Sequence, residues 1–198
     1  MIRHFRFGSP LPTESVVQEL PICTDAVPFF TADETGGWAY PLAPDAIVYG
    51  LGEMPRGINK RGWHYIADNT DQSHHGEDKL SYYGAHNFML IDDGSSGGCF
   101  GVFIDFAGKV YYDIGFTAYE TLRFHTEEPD YDLYILTGKN ETAICKAFRK
   151  LIGQSYIPPK WAFGFAQSRW GYKTEADVRE IAEQYRKNHL PLDMICMD

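Results

Sequence analysis

Two side chains in the last thirty residues could act together on a ligand: Trp170, within Ser168-Arg169-Trp170-Gly171-Tyr172, and Asp198, which closes Leu192-Asp193-Met194-Ile195-Cys196-Met197-Asp198. One offers a flat apolar wall and the other a hydrogen-bond acceptor. A sugar ring uses both, because its C–H face stacks on an indole while its hydroxyls need charged or polar partners to offset lost water. The plainer alternative is that Trp170 only packs the neighbouring loops and Asp198 only caps a following helix. Spacing alone leaves both readings open.

Other constellations carry less chemistry. His74 and His75, with Glu77, Asp78 and His86, have the residue types of a metal site, but adjacent histidines point apart and the segment is rich in Gly and Asp, so a solvated loop is expected and no metal. Arg56-Gly57-Ile58-Asn59-Lys60-Arg61-Gly62 is basic and glycine-bearing yet lacks the Gly-Lys-Ser/Thr ending of a phosphate loop, so it reads as an exposed connection. Glu53 and Asp105 read as structural. The four cysteines, Cys23, Cys99, Cys145 and Cys196, form no CxxC pair, and three lie in apolar segments. Buried free thiols and a reducing compartment are expected.

The elements that must position Trp170 and Asp198 follow from the pattern around them. Ala162 to Ala166 and Leu192 to Met197 are short, continuously apolar runs, and between them Thr174 to His189 has helical periodicity. Thr174 is placed as N-cap, Glu175 and Asp177 lie in the first turn, and Val178, Ile181, Ala182 and Tyr185 share a face. Strand, helix, strand is a βαβ unit, and apolar runs without alternation mark a parallel sheet covered on both faces. Ligands of such sheets bind in the loops at the carboxyl ends of the strands, where Trp170 and Asp198 fall. Two strands do not supply their own cover, so a truncated barrel is expected.

Upstream, short apolar and aromatic runs recur at Ile47–Tyr49, Phe88–Ile91, Phe100–Phe106, Lys109–Ile114, Thr121–Phe124 and Tyr131–Leu136, the signature of an antiparallel sandwich. Gly94-Ser95-Ser96-Gly97-Gly98 and Ala107-Gly108 read as hairpin turns that pair three successive strands. Near Asn140 the period changes to 3.6: Ile144, Ala147, Phe148 and Leu151 share a face, with Asn140 as N-cap and Gly153 as stop. Pro158-Pro159 then forces an extended linker. The boundaries are therefore a β-sandwich domain over 1–157, with one helix near 140–152, and a barrel start over 158–198.

A formal net charge of −9 argues against nucleic acid or an anionic membrane as partner. The N-terminus lacks the apolar core of a signal peptide and no stretch approaches a membrane span, so a cytoplasmic protein is expected. The 15% aromatic content suits a surface that meets sugar faces, although Tyr-rich sheets reach it without a ligand.

Leu151-Ile152-Gly153, Pro158-Pro159-Lys160-Trp161-Ala162-Phe163-Gly164-Phe165, Ser168-Arg169-Trp170-Gly171-Tyr172 and Leu190-Pro191-Leu192-Asp193-Met194 with Asp198 resemble, in order and spacing, the start of the barrel of family 31 glycoside hydrolases. Tyr49-Gly50-Leu51-Gly52-Glu53 is similar to that family's N-terminal sandwich, and the nearest resemblance is to small α-glucosidases of gut bacteria. The resemblance implies a fold class of β-sandwich followed by the first βαβ unit of a truncated (β/α)8 TIM barrel. It implies an α-linked oligosaccharide as substrate, no cofactor, and a retaining mechanism whose two catalytic carboxylates lie beyond residue 198. Trp170 and Asp198 would line the subsite for the non-reducing glucose. Asn69-Thr70-Asp71 looks like the sandwich loop that contributes a third contact, Asp71, although an ordinary Asx-type turn has the same composition.

Overall fold

The computed structural model describes residues 1–71, 73–94 and 98–197. It divides into two compact units, Met1–Gln154 and Ser155–Asp198. Among the described residues, ten strands build the first: β1 (Ile2–Phe7), β2 (Thr31–Ala32), β3 (Trp38–Pro41), β4 (Ile47–Gly52), β5 (Trp63–Ala67), β6 (Ala85–Asp92), β7 (Cys99–Asp105), β8 (Val110–Ile114), β9 (Thr121–Thr126) and β10 (Tyr131–Thr137). One sheet has the order β1-β10-β7-β6-β4 and the other β2-β3-β9-β8-β5. Every pairing within them is antiparallel.

The two sheets differ in how they are covered, and the sequence carries the reason. In the second sheet β8 alternates, with Val110, Tyr112 and Ile114 buried and Tyr111 and Asp113 partly exposed, so one face meets water. In the first sheet β10 is buried at Tyr131 through Leu136 without a break. Tyr131, Leu133 and Ile135 enter the core between the sheets. Tyr134 and Leu136 face the other way, where helix α1 (Glu141–Ile152) packs Ile144 and Leu151 against Leu90 and Phe103. The helix starts at Asn140, whose side chain accepts from the Ala143 amide, and ends at Gly153 (φ 88°), as the pattern predicts. Gly101 gives it room: a Cβ there would lie 2.8 Å from Ile144 Cγ2 and 3.0 Å from Phe88 Cε2.

Sequence-adjacent strands do not all pair as expected. β6 and β7 form a hairpin that closes through Asp92↔Cys99, with the Asp93 amide on the Gly98 carbonyl at 3.0 Å; of its expected turn, residues 95–97 lie outside the described residues. Ala107-Gly108 makes no hairpin. β7 pairs with β6 and β10 while β8 pairs with β5 and β9, so this link carries the chain from one sheet to the other. Val102 and Ile104 thus enter the core from one side and Val110 and Tyr112 from the other. Both connections satisfy the same alternation, which is why the pattern does not separate them. Strands β1, β2, β3 and β5 also lie outside the expected set. In β1 the alternation is masked by His4 and Arg6, whose outward side chains meet Asp132 of β10.

In the second unit a 3₁₀ turn at Lys160–Phe163 precedes β11 (Ala166–Ser168), α2 (Glu175–Lys187) and β12 (Met194–Cys196). β11 and β12 pair in parallel around the helix, the βαβ arrangement. The first strand begins later than Ala162, because the Ala162 and Gly164 amides close tight turns onto the Pro159 and Trp161 carbonyls at 3.0 Å each. It reads Ala-Gln-Ser rather than a continuous apolar run, and Gln167 accepts the Tyr185 hydroxyl. α2 starts at the expected N-cap, Thr174, and closes a capping box there: Asp177 Oδ2 accepts from the Thr174 amide at 2.8 Å and Thr174 Oγ1 from the Asp177 amide at 3.2 Å. All four cysteines are free, but none is buried as expected: Cys23 and Cys99 are half-buried, and Cys145 and Cys196 are exposed. No helix among the described residues is long and apolar enough to cross a membrane.

Candidate functional site

The bulge at the end of β4 and the segment that follows it shape one end of the sandwich. The pairing of β4 with β6 shifts register between Gly50 and Gly52. Gly50, Leu51 and Gly52 all have positive φ, and a Cβ on Gly50 would fall 2.4 Å from the Phe88 carbonyl oxygen. The Gly-Leu-Gly motif is therefore a backbone requirement, with Leu51 fully buried beneath it. Beyond it the basic segment is exposed at Gly57, Ile58, Asn59 and Gly62, as expected of a connection, but Lys60 within it is buried. Lys60 is 5% exposed, and its ammonium donates to the carbonyls of Met54 (3.3 Å), Pro55 (3.1 Å) and Gly57 (2.8 Å). Burial pushes its pKa down. Arg56 lies over the Trp63 ring at 3.3 Å, and Asn59 Oδ1 accepts from the Val48 and Arg61 amides. Arg61 donates to the carbonyls of Ala43, Pro44, Ala46 and Tyr119, so the segment's charge is spent on backbone carbonyls and on the Trp63 ring.

The loop between β5 and β6 carries Asp71 on two legs joined by successive cross-links. The Ile66 amide donates to Leu80 O at 3.0 Å, Ser81 Oγ to Asp68 O at 2.7 Å, the Thr70 amide to Tyr82 O at 3.2 Å, and the Ala85 amide to Asn69 Oδ1 at 2.6 Å. At the far rung the Tyr83 hydroxyl donates to Asp71 Oδ1 at 2.9 Å. The hydrogen bond to Asp71, with burial behind it, holds the Tyr83 phenol above its usual pKa. His75 lies between Tyr82 and Tyr83, with ring centroids at 5.1 Å from each, and Tyr82 Oη donates to Gly76 O at 3.0 Å. The base is tied to the sandwich by Lys109 and Asp68 at 3.2 Å and by the Glu53 amide on Gly84 O at 2.8 Å. Asp71 is therefore an exposed carboxylate held by a side chain twelve residues away.

The remaining candidates separate. His75 packs on aromatic rings, and His86 lies against Phe103 and Phe148, where burial lowers its pKa. Among the described residues no group of three or more His, Cys, Asp and Glu is arranged to hold a metal ion. Asp105 accepts the Thr13 hydroxyl at 2.5 Å, the structural use its position suggests. In the second unit Trp170 follows β11 in the turn before α2 and is 87% exposed, an indole presented to solvent. Its turn is fixed by Asp177 Oδ2, which accepts from the Lys173 amide at 3.0 Å. Asp198 lies outside the described residues. The rungs formed by Asn69, Ser81 and Tyr83 escape sequence reasoning, since nothing in the order of residues says which positions of the two legs face one another.

Two stretches of the chain match known family domains. Residues 26–113 match the glycosyl hydrolase 31 N-terminal galactose mutarotase-like domain, and residues 155–198 match the glycosyl hydrolases family 31 TIM-barrel domain. The chain belongs to glycoside hydrolase family 31. It is 35% identical over 152 residues to alpha-glucosidase 2 of Bacillus thermoamyloliquefaciens, covering 76% of this chain and 19% of that protein. A shorter stretch of 67 residues is 34% identical to an alpha-xylosidase of Saccharolobus solfataricus, covering 34% of this chain and 9% of that one. A Flavobacterium johnsoniae family 31 dextranase, solved in complex with glucose, superposes with a TM-score of 0.74 at 30% identity, over 88% of this chain and 21% of that one. The chain thus spans about a fifth of the length of these longer matches.

Proposed function

We propose that this chain is the N-terminal portion of a cytoplasmic, retaining α-glucosidase that releases terminal α-linked glucose from short oligosaccharides. The observation that carries this reading is the 35% identity to an alpha-glucosidase across 152 residues, three quarters of this chain. Retention requires two carboxyl groups about 5–5.5 Å apart, one attacking the anomeric carbon while the other protonates the leaving oxygen and later activates water. In this reading both reside on later barrel strands, and residues 1–198 supply binding only. Trp170 gives the sugar an apolar face, and Asp71 and Asp198 accept from its hydroxyls. Four free cysteines support a reducing compartment. No metal or cofactor enters the displacement.

The complete protein should hydrolyse 4-nitrophenyl α-glucoside, and residues 1–198 alone should not. Asp71→Ala and Trp170→Ala should each lower kcat/KM about tenfold or more, the worth of one charge-assisted hydrogen bond or one ring contact. Full activity in both variants would remove these residues from the sugar site. The alpha-xylosidase match favours a second reading, in which the same subsite takes a sugar lacking the hydroxymethyl group. The ratio of kcat/KM on the α-glucoside to that on the α-xyloside decides between them.

A further inference from the structure

We infer that Tyr83 is a positioning residue for the sugar site, acting through Asp71; this rests on the reading of Asp71 as a sugar contact. An exposed aspartate on a loop samples several rotamers, and a ligand that needs one of them must bear the cost of selecting it. Here the selection precedes binding. The Tyr83 hydroxyl takes Asp71 Oδ1 at 2.9 Å, and among the described residues it is the one donor on that carboxylate, so Oδ2 is left to a ligand hydroxyl.

Tyr83 is itself held. Its ring meets the edge of His75 at 5.1 Å with an interplanar angle of 83°, and His75 leans on Tyr82, whose hydroxyl is fixed on the Gly76 carbonyl. The backbone bond from Thr70 to Tyr82 then sets the spacing of the two legs just below the Asp71–Tyr83 rung.

A double-mutant cycle in the complete enzyme tests this: wild type, Tyr83→Phe, Asp71→Ala and both together, read as kcat/KM on 4-nitrophenyl α-glucoside, with the melting temperature measured for each. Phenylalanine keeps the ring against His75 and removes only the hydroxyl. Tyr83→Phe should lower kcat/KM about fivefold to tenfold, leave the melting temperature unchanged, and have no further effect once Asp71 is Ala. Asp71→Ala impaired with Tyr83→Phe at wild-type activity overturns the inference and leaves the proposed function standing. An equal Tyr83→Phe loss in both Asp71 backgrounds, or one that follows a lowered melting temperature, assigns Tyr83 a structural role and overturns it as well. Wild-type activity in Asp71→Ala, or an inactive complete enzyme, removes the sugar contact and the inference with it.

Discussion

Asp132 is the residue on which β1 is anchored. His4 Nε2 lies 2.7 Å from its Oδ1, Arg6 Nε donates to the same oxygen at 2.9 Å, and Arg6 Nη2 donates to Oδ2 at 2.8 Å. Burial pushes the carboxyl pKa up, but the hydrogen bonds from Arg6 and His4 and their charges outweigh it, and the net value lies below the usual carboxylate range. Because the folded-state value is depressed, this group stabilises fully above the unfolded value of about 3.9. The contribution is lost as pH falls through the lower folded value. Asp132→Asn should cost about 1–3 kcal/mol at pH 7 and make the acid limb of the stability curve shallower. Thermal melts from pH 7 to pH 3 check this; parallel curves for the two proteins would show that Asp132 carries no linked proton. None of this was legible in Ile-Arg-His-Phe-Arg-Phe, because the partner lies on a strand more than a hundred residues away.

Elements with internal signals were readable and elements defined by their neighbours were not. α1 and α2 carry their caps in the sequence, Asn140 and Thr174, and both start where those residues stand. Gly50-Leu51-Gly52 stood out in the sequence only through a family resemblance; the bulge that ends β4, and the clearance from the Phe88 carbonyl that requires it, were not legible. The sheet crossing at Ala107-Gly108 and the short start of β11 depended on which amides find which carbonyls, and composition does not encode that choice. The same limit hid the rungs under Asp71. Packing at the element scale gives its own test. Gly101→Ala would drive a methyl into Ile144 and Phe88 and should cost about 1–3 kcal/mol by overpacking. Ile144→Ala, emptying the same contact from the helix side, should cost about 2–5 kcal/mol. Urea melts of the two variants read both values; no loss in either would mean that α1 does not rest on the sheet through this contact.

Across the whole chain, exposure is uneven between the units. The first buries a continuous core between its sheets and a second cluster beneath α1. In the second, Trp161, Phe163, Phe165, Trp170 and Met197 are exposed, and α2 has no buried residue. Residues 1–198 expressed alone should therefore bind an apolar dye and tend to self-associate, whereas a monomer silent to the dye would show that these side chains find cover within the chain. Residues 155–198 match the family's TIM-barrel domain and pair β11 with β12 in parallel, with Trp170 in the turn after β11. The measurement that bears most directly on the account is a proton NMR time course of 4-nitrophenyl α-glucoside with the complete protein, following the anomeric signal of the one glucose released. The expected result is α-glucose as the first product, before mutarotation, with no release by residues 1–198 alone. β-Glucose as the first product, hydrolysis by residues 1–198, or no hydrolysis by the complete protein would contradict it.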